Sequence, residues 1–175
     1  NGTVQLKIKK GFQSGKDFVV LVQLADYYNF ITDNEHQLKR YFFEENVRDY
    51  LGNNRTNTDI MNTLEAQDEI DFWNLNNGIT LLTSSATLYD DTIEAENIQI
   101  VNGLQTTNTI FNYFSNGGTD GAKRSVLVKI IVSTEPIVRK NIIQATNNQS
   151  VIPLYSLHAT DKIQKDIEEI LYKHN

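Results

Sequence analysis

Asn102 and Gly103 sit where residue type and spacing best suit the binding of a ligand. They lie in Ile100-Val101-Asn102-Gly103-Leu104-Gln105-Thr106-Thr107-Asn108, where an apolar, strand-like run passes through Asn-Gly into a helical pattern. Such a junction aims a helix N-terminus at one point, and the N–H groups of a first turn attract an anion or a nucleotide phosphate. Gly103 lets a ligand approach the backbone, the first-turn N–H groups of Leu104 and Gln105 would face it, and Thr106 and Asn108 are further donors. A purely local reading stays open beside it: Asn102 is a natural N-cap, and Gln105, three residues on, completes a capping box. Asn76-Asn77-Gly78-Ile79-Thr80 and Ala145-Thr146-Asn147-Asn148-Gln149 share the same uncharged, amide-rich chemistry. A carboxamide offers a donor and an acceptor together, the pairing that reads an adenine edge. Taken alone, however, Asn-Asn-Gly is a turn signal.

Charge adds one further candidate. Arg48 follows Glu44 by four residues, which suits a salt bridge on a helix; an arginine is also the residue of choice for clamping a phosphate. Catalytic chemistry has thin support. His36, His158 and His174 share no metal-ligand spacing, there is no cysteine, and no phosphate loop or serine elbow occurs. Asp68, Glu69 and Asp71, like Asp90, Asp91, Glu94 and Glu96, read as solvated charge runs. No catalytic residue, metal site or cofactor is therefore assigned. A Mg²⁺ carried on a nucleotide's phosphates needs only one or two carboxylates and stays compatible with the chain.

The elements that must position these residues follow from periodicity. Val4 to Lys9 alternates as a half-buried strand does, and Asp17 to Leu24 is a buried strand. Ala25 to Ile31 reads as a short helix. Residues 37 to 51 read as helical or mixed, ended by Gly52, and Asn57 would cap a helix burying Ile60, Met61 and Leu64. Phe72 and Trp73 are expected in the core. Strands are expected at Ile79 to Leu82, Ile98 to Val101 and Val126 to Val132. A helix using Leu104, Thr107, Ile110, Phe111 and Phe114 lies between the last two, followed by a glycine-rich loop from Ser115 to Gly121. Pro136 suits a helix start; that helix would turn Val138, Ile142 and Ala145 inward. A last helix would use Ile163, Ile167, Ile170 and Leu171. The expected fold is α/β or α+β, with a mixed β-sheet and crossover helices.

Length and composition set the bounds. A chain of 175 residues, 39% hydrophobic and 22% charged, can bury a proper core, and residues 1–175 are expected to form a single domain. It starts at Asn1 and stops near a helical pattern, so it is expected to be cut from a longer protein. No apolar run reaches the length of a membrane helix. With no cysteine, disulfides are excluded and a cytoplasmic location is expected. A formal net charge of -6 argues against a general nucleic-acid binder. The basic residues are bunched, though, at Lys7, Lys9, Lys10 and Lys16 and again at Lys123, Arg124, Lys129, Arg139 and Lys140. Two such clusters would make a local positive strip, or simply solvated faces.

Four segments together resemble the AIPR family, the abortive-infection phage-resistance proteins of bacteria. They are Phe43-Glu44-Glu45-Asn46-Val47-Arg48-Asp49-Tyr50-Leu51-Gly52, Phe72-Trp73-Asn74-Leu75-Asn76-Asn77-Gly78-Ile79-Thr80, Ile100 to Thr107, and Ala145 to Gln149 followed by Ile152. The resemblance implies a role in antiphage defence, often beside restriction-modification systems, and carries over no catalytic residues. More distantly, Val101 to Thr107 is similar to the Asp-Gly-Gln-Gln-Arg and Asp-Gly-Gln-His-Arg motifs of ParB-like defence and DNA-modification proteins, which implies nucleotide or DNA handling and a ParB-like variant of the fold. Here Asn102 replaces the acid and Thr106 the basic residue, which weakens an inference of hydrolysis and leaves binding.

We therefore expect an antiphage-defence domain that binds a nucleotide or nucleic acid. Its ligand-facing set would be Arg48, Asn77, Gly78, Asn102, Gly103, Gln105, Thr106 and Asn147. The alternatives are a Mg²⁺-dependent NTPase or nuclease of ParB-like type, fed by acids near Asp90 or Asp68, and a non-catalytic protein-interaction domain.

Overall fold

The computed structural model describes residues 2–43, 60–64, 71–119 and 123–148, the side chains of Asn147 and Asn148 excepted. The first strands are β1 (Val4–Lys7), β2 (Lys10–Ser14) and β3 (Asp17–Gln23). β3 alternates as its β-branched sequence requires, with Phe18, Val20 and Val22 buried and Val19 turned out. α1 (Leu24–Ile31) follows directly, and a 3-10 turn spans Arg40–Phe43. Residues 60–64, here α2, are helical and bury Leu64, as expected for that segment. α3 (Phe72–Leu75) leads to β4 (Ile79–Thr83), β5 (Ser85–Tyr89), β6 (Thr92–Glu96) and β7 (Gln99–Asn102). α4 (Leu104–Ser115), β8 (Ser125–Val132) and α5 (Pro136–Asn148) complete the described chain.

The fold is mixed α/β, with two sheets. One runs β1-β6-β5 and is antiparallel; the other runs β2-β3-β8-β4-β7, with β4 and β8 parallel and its other pairs antiparallel. The sheets share strands that bend. Ser84 N–H donates to Glu96 O at 3.0 Å, so β4-β5 and β6-β7 form one long ribbon that kinks at Ser84 and Asn97. Asn97 takes φ 51, a left-handed conformation that asparagine tolerates better than most residues. Ile8 N–H donates to Asp91 O and Lys9 N–H to Leu21 O, so β1-β2 also passes from one sheet to the other. Each pairing leads to the next and the series returns to its start, enclosing Leu6, Val20, Val22, Leu81, Ile93, Ile100, Val128 and Ile130 in one core. α1 packs on β1 and α4, while the 3-10 turn and α5 pack on β7.

Three strands, β2, β5 and β6, lay outside the sequence reading, and all have little apolar signal. Every residue of β2 is exposed. The β5-β6 hairpin contains the acids read as a solvated charge run, and it turns on Asp90-Asp91 with Asp90 at φ 51. The inner face of α5 is also rotated from the expected one. Val138 and Ala145 are exposed, and the half-buried residues are Arg139, Ile142, Ile143 and Thr146. Arg139 sets that face, because its Nη1 donates to Ser133 O at 3.0 Å. The helix expected over 163–171 lies outside the described residues. No helix among the described residues is long and apolar enough to cross a membrane.

One buried polar contact ties α1 to α4. Tyr27 is fully buried, and its hydroxyl lies 2.8 Å from Thr107 Oγ1. Thr107 gives its single hydroxyl proton to Gly103 O at 2.9 Å, so Tyr27 must be the donor. Burial holds the Tyr27 pKa well above its ordinary 10. The folded protein thus keeps a proton that the unfolded chain loses near pH 10, and stability must fall as pH rises beyond that value. Tyr27→Phe should cost about 1 kcal/mol at neutral pH. Urea titrations above pH 10 should also find a shallower loss of stability in the variant than in the parent. Equal slopes would refute the assignment.

Candidate functional site

Two Asn-Gly junctions, 25 residues apart in sequence, meet at one end of the five-stranded sheet. The pairing makes this unavoidable: β4 and β7 are antiparallel, so the start of one faces the end of the other, with Thr80 opposite Asn102. A register shift between Thr80 and Leu81 marks a bulge there, which bends β7 as it leaves the sheet. Both glycines adopt left-handed backbone, Gly78 at φ 78 and Gly103 at φ 86. A Cβ on Gly103 would stand 2.8 Å from Gly78 O and 2.9 Å from Ile79 Cα; one on Gly78 would stand 2.7 Å from Leu127 O. Three backbones, from β4, β7 and β8, are therefore stacked without side chains between them.

Side chains join the same junctions. Asn76 Oδ1 accepts the Gly78 N–H at 2.8 Å, closing a turn, and its Nδ2 donates to Thr106 Oγ1 at 3.2 Å. Asn76 is in turn held by α3, whose Phe72 is fully buried. Asp71 Oδ1 takes the N–H of Ser125 at 2.7 Å, which pins α3 to the start of β8. Thr146 Oγ1 lies 3.3 Å from Val101 O and closer, at 2.9 Å, to Ile142 O of its own helix, so the third amide-rich segment also reaches the end of β7.

The helix start differs from the capping-box reading. Gly103 is the N-cap of α4, in left-handed conformation, and no side chain caps the helix. Asn102 stays in the strand and its Oδ1 accepts the Gly103 N–H at 2.7 Å. Gln105 cannot reach back to an Asn102 N-cap that does not form. The first turn holds no acidic residue, so its N–H groups carry an uncompensated positive end.

The expected set therefore divides. Gly78, Asn102, Gly103 and Thr106 come together; Thr106 is buried, and its hydroxyl is engaged with Asn76. Asn77 is exposed beside Gly78, and Gln105 is half-buried in the first turn of α4. Arg48 lies outside the described residues, as does its relation to Glu44. Asn147 follows Thr146 in α5, but its side chain is not among those described. Sequence reasoning passed over Asn76, although Asn-x-Gly is the signature of the side-chain turn it makes. It also placed Trp73 in the core. The side chain is 38% exposed, because the single turn of α3 can turn only one aromatic inward and Phe72 takes that place.

A separate polar cleft of about 600 Å³ lies beyond α1, lined by Asn29, Thr32, Asp33, Asn34, His36 and Lys39. Its groups serve the local fold. Lys39 Nζ donates to Phe30 O at 2.8 Å, a cation at a helix C-terminus, and burial lowers its pKa while Asp33 partly raises it. Asp33 Oδ1 accepts the N–H groups of Glu35 and Gln37. Among the described residues no three His, Cys, Asp or Glu side chains are grouped to hold a metal. Glu94 binds Gln5 and Glu96 binds Ser85, on the smaller sheet.

The family model for AIPR, described as AIPR protein, matches residues 43–175, more than half of the chain and inclusive of all the junctions above. No curated protein and no solved structure matches the chain.

The stacked backbones make a direct stability prediction. Gly103→Ala must strain a left-handed residue and also push a methyl group into β4. Gly117, at φ 88 with nothing near its Cβ position, supplies the comparison. Gly117→Ala should cost about 1 kcal/mol. Gly103→Ala should exceed it by about 1 kcal/mol or more in urea unfolding. Equal costs would mean that the close approach is absent.

Proposed function

The chain belongs to the AIPR family, and on that premise we propose that it serves bacterial antiphage defence of the abortive-infection type by binding a nucleotide or nucleic acid at the paired Asn-Gly junctions. The observation that carries this reading is the seating of Gly103 on Gly78 and Ile79, with Asn76 bonded across to Thr106. It brings an uncapped helix start, an open backbone and several carboxamides to one place without a carboxylate in the first turn.

Each member then has a distinct part. The N–H groups opening α4 receive phosphate. Gly78 and Gly103 keep the backbone bare so that a ligand can approach closely. Asn77, Gln105 and Asn102 offer paired donors and acceptors to a base edge, adenine being the best match. Thr106 acts through Asn76, holding the turn in place. Arg48 and Asn147 complete the set as a phosphate clamp and a further carboxamide.

Equilibrium dialysis of the chain against AMP and ATP tests the reading. The Gln105 side chain has no hydrogen-bond partner among the described residues, and its carbonyl, which accepts from Thr109 Oγ1, is kept in Gln105→Ala, so the variant should leave the fold intact. The loss of one ligand hydrogen bond should weaken binding about five-fold. Binding that survives this change undiminished, with unaltered circular dichroism, would remove Gln105 from the site. Trp73, the sole tryptophan, stands within one helical turn of Asn76 and gives a second, optical readout.

A further inference from the structure

The registers of the five-stranded sheet place one row of residues straight across it. Phe12 pairs with Val19, Val19 with Lys129, Lys129 with Thr80, and Thr80 with Asn102. Residues directly opposite each other in a sheet project to the same side. The row therefore runs along one face from β2 to the Asn-Gly junction, over four strand spacings or about 19 Å. Lys10, two residues before Phe12, projects to that face as well.

This face is open where a face normally closes. Parallel strands such as β4 and β8 are usually covered on both sides, yet Lys129 is exposed on β8, the central strand of the sheet. Val19 is 39% exposed and Phe12 is 68% exposed. An aromatic and an aliphatic side chain thus stand in water in register, flanked by two lysines; the row itself holds no carboxylate, and Asp17, two residues before Val19 on the same face, accepts the Val132 N–H at 2.8 Å. The two bunches of basic residues in the sequence, one near the start and one after residue 122, supply one lysine each to this surface.

We propose that this face is a track for single-stranded nucleic acid leading to the Asn-Gly junction. The proposal rests on the nucleotide-binding reading of that junction and selects a polymer with unpaired bases as its ligand. Phe12 offers a face on which a base stacks, a contact tolerant of sequence. Lys10 and Lys129 neutralise phosphates on either side of it. Thr80 and Asn102 then hand the strand to the carboxamides and the α4 N-terminus. A duplex keeps its bases stacked on each other and gives Phe12 nothing to hold.

Fluorescence anisotropy of the chain with a short fluorescein-labelled oligodeoxyadenylate tests the track, alongside equilibrium dialysis with AMP. The oligonucleotide should bind more tightly than AMP and than the same strand in a duplex. Phe12→Ala should weaken oligonucleotide binding about ten-fold and leave AMP binding unchanged. Lys10→Gln and Lys129→Gln should each reduce the slope of log K against log salt by about 0.7, the value for one released counterion on a single strand. These positions are exposed, so the variants fold. If AMP binds in a Gln105-dependent way but the oligonucleotide binds no tighter, or Phe12→Ala and Lys129→Gln leave it unaffected, the track is wrong and the junction reading stands. Preference for the duplex overturns it equally. Binding of neither probe removes both.

Discussion

Gly103 has no room for a side chain because β4 lies against it. From that contact much of the local architecture follows. A left-handed residue at the end of β7 turns the chain sharply enough to start α4 beside the strand just left. It also displaces Asn102 from the capping position and leaves the helix start without a cap. The same approach fixes Thr107 so that it reaches back to Gly103 O and across to Tyr27, which couples the junction to the hydrophobic core through two hydrogen bonds. A capped helix would be more stable in isolation by roughly 1 kcal/mol. Tertiary packing, with Ile110 and Thr107 fully buried, replaces that contribution.

The sheet-changing strands decide which surfaces remain for binding. The long ribbon kinks where Thr83 Oγ1 and Ser84 N–H both donate to Glu96 O, and the kink sends its outer half into the smaller sheet. Curling the strands this way gives the core its enclosure from strand pairing, with α1 packed on β1 and α5 on β7. The face carrying Lys129 therefore does not need a helix to complete the core. Its neighbour row is covered only in part: Leu82 and Val101 are buried, beside Thr146 and Arg139 of α5. The boundary between covered and open surface falls at the Thr80-Asn102 pair, and that pair is where the Asn-Gly junction begins.

Periodic and β-branched segments were legible in the sequence. β3, β4, β7 and β8, the helices α1 and α4, and Pro136 at the start of α5 all follow from pattern alone. The convergence of Asn77-Gly78 with Asn102-Gly103 was legible as shared chemistry at element junctions, though not as geometry. Asn76 was hidden because a side-chain turn competes with every other use of an asparagine. The row from Phe12 to Asn102 was hidden for a deeper reason. It joins residues on five strands, and only strand order and register, which are properties of the whole fold, bring them into line. The Lys10 and Lys129 bunches were visible as composition and needed that register to become one surface.

An acidic chain with a basic, aromatic surface is not a contradiction. Net charge is a sum over the whole molecule, whereas a ligand at the surface feels charges within roughly a Debye length, about 8 Å at physiological salt. The acids of the β5-β6 hairpin sit on the smaller sheet, and the two that face solvent along β6 are engaged with Gln5, Thr3 and Ser85. The lysines of the open face belong to the larger sheet and pair with apolar or hydroxyl neighbours: Lys10 with Leu21, and Lys129 with Val19 and Thr80. Neither lysine thus stands directly opposite a carboxylate, and the nearest acid on that face, Asp17 of β3, is two residues from Val19. Such an arrangement suits a modest, local affinity for polyanions in which uncharged amides choose the ligand. A uniformly basic domain would bind any phosphate chain, whereas on the proposed track two lysines supply the charge and the carboxamides the choice of ligand.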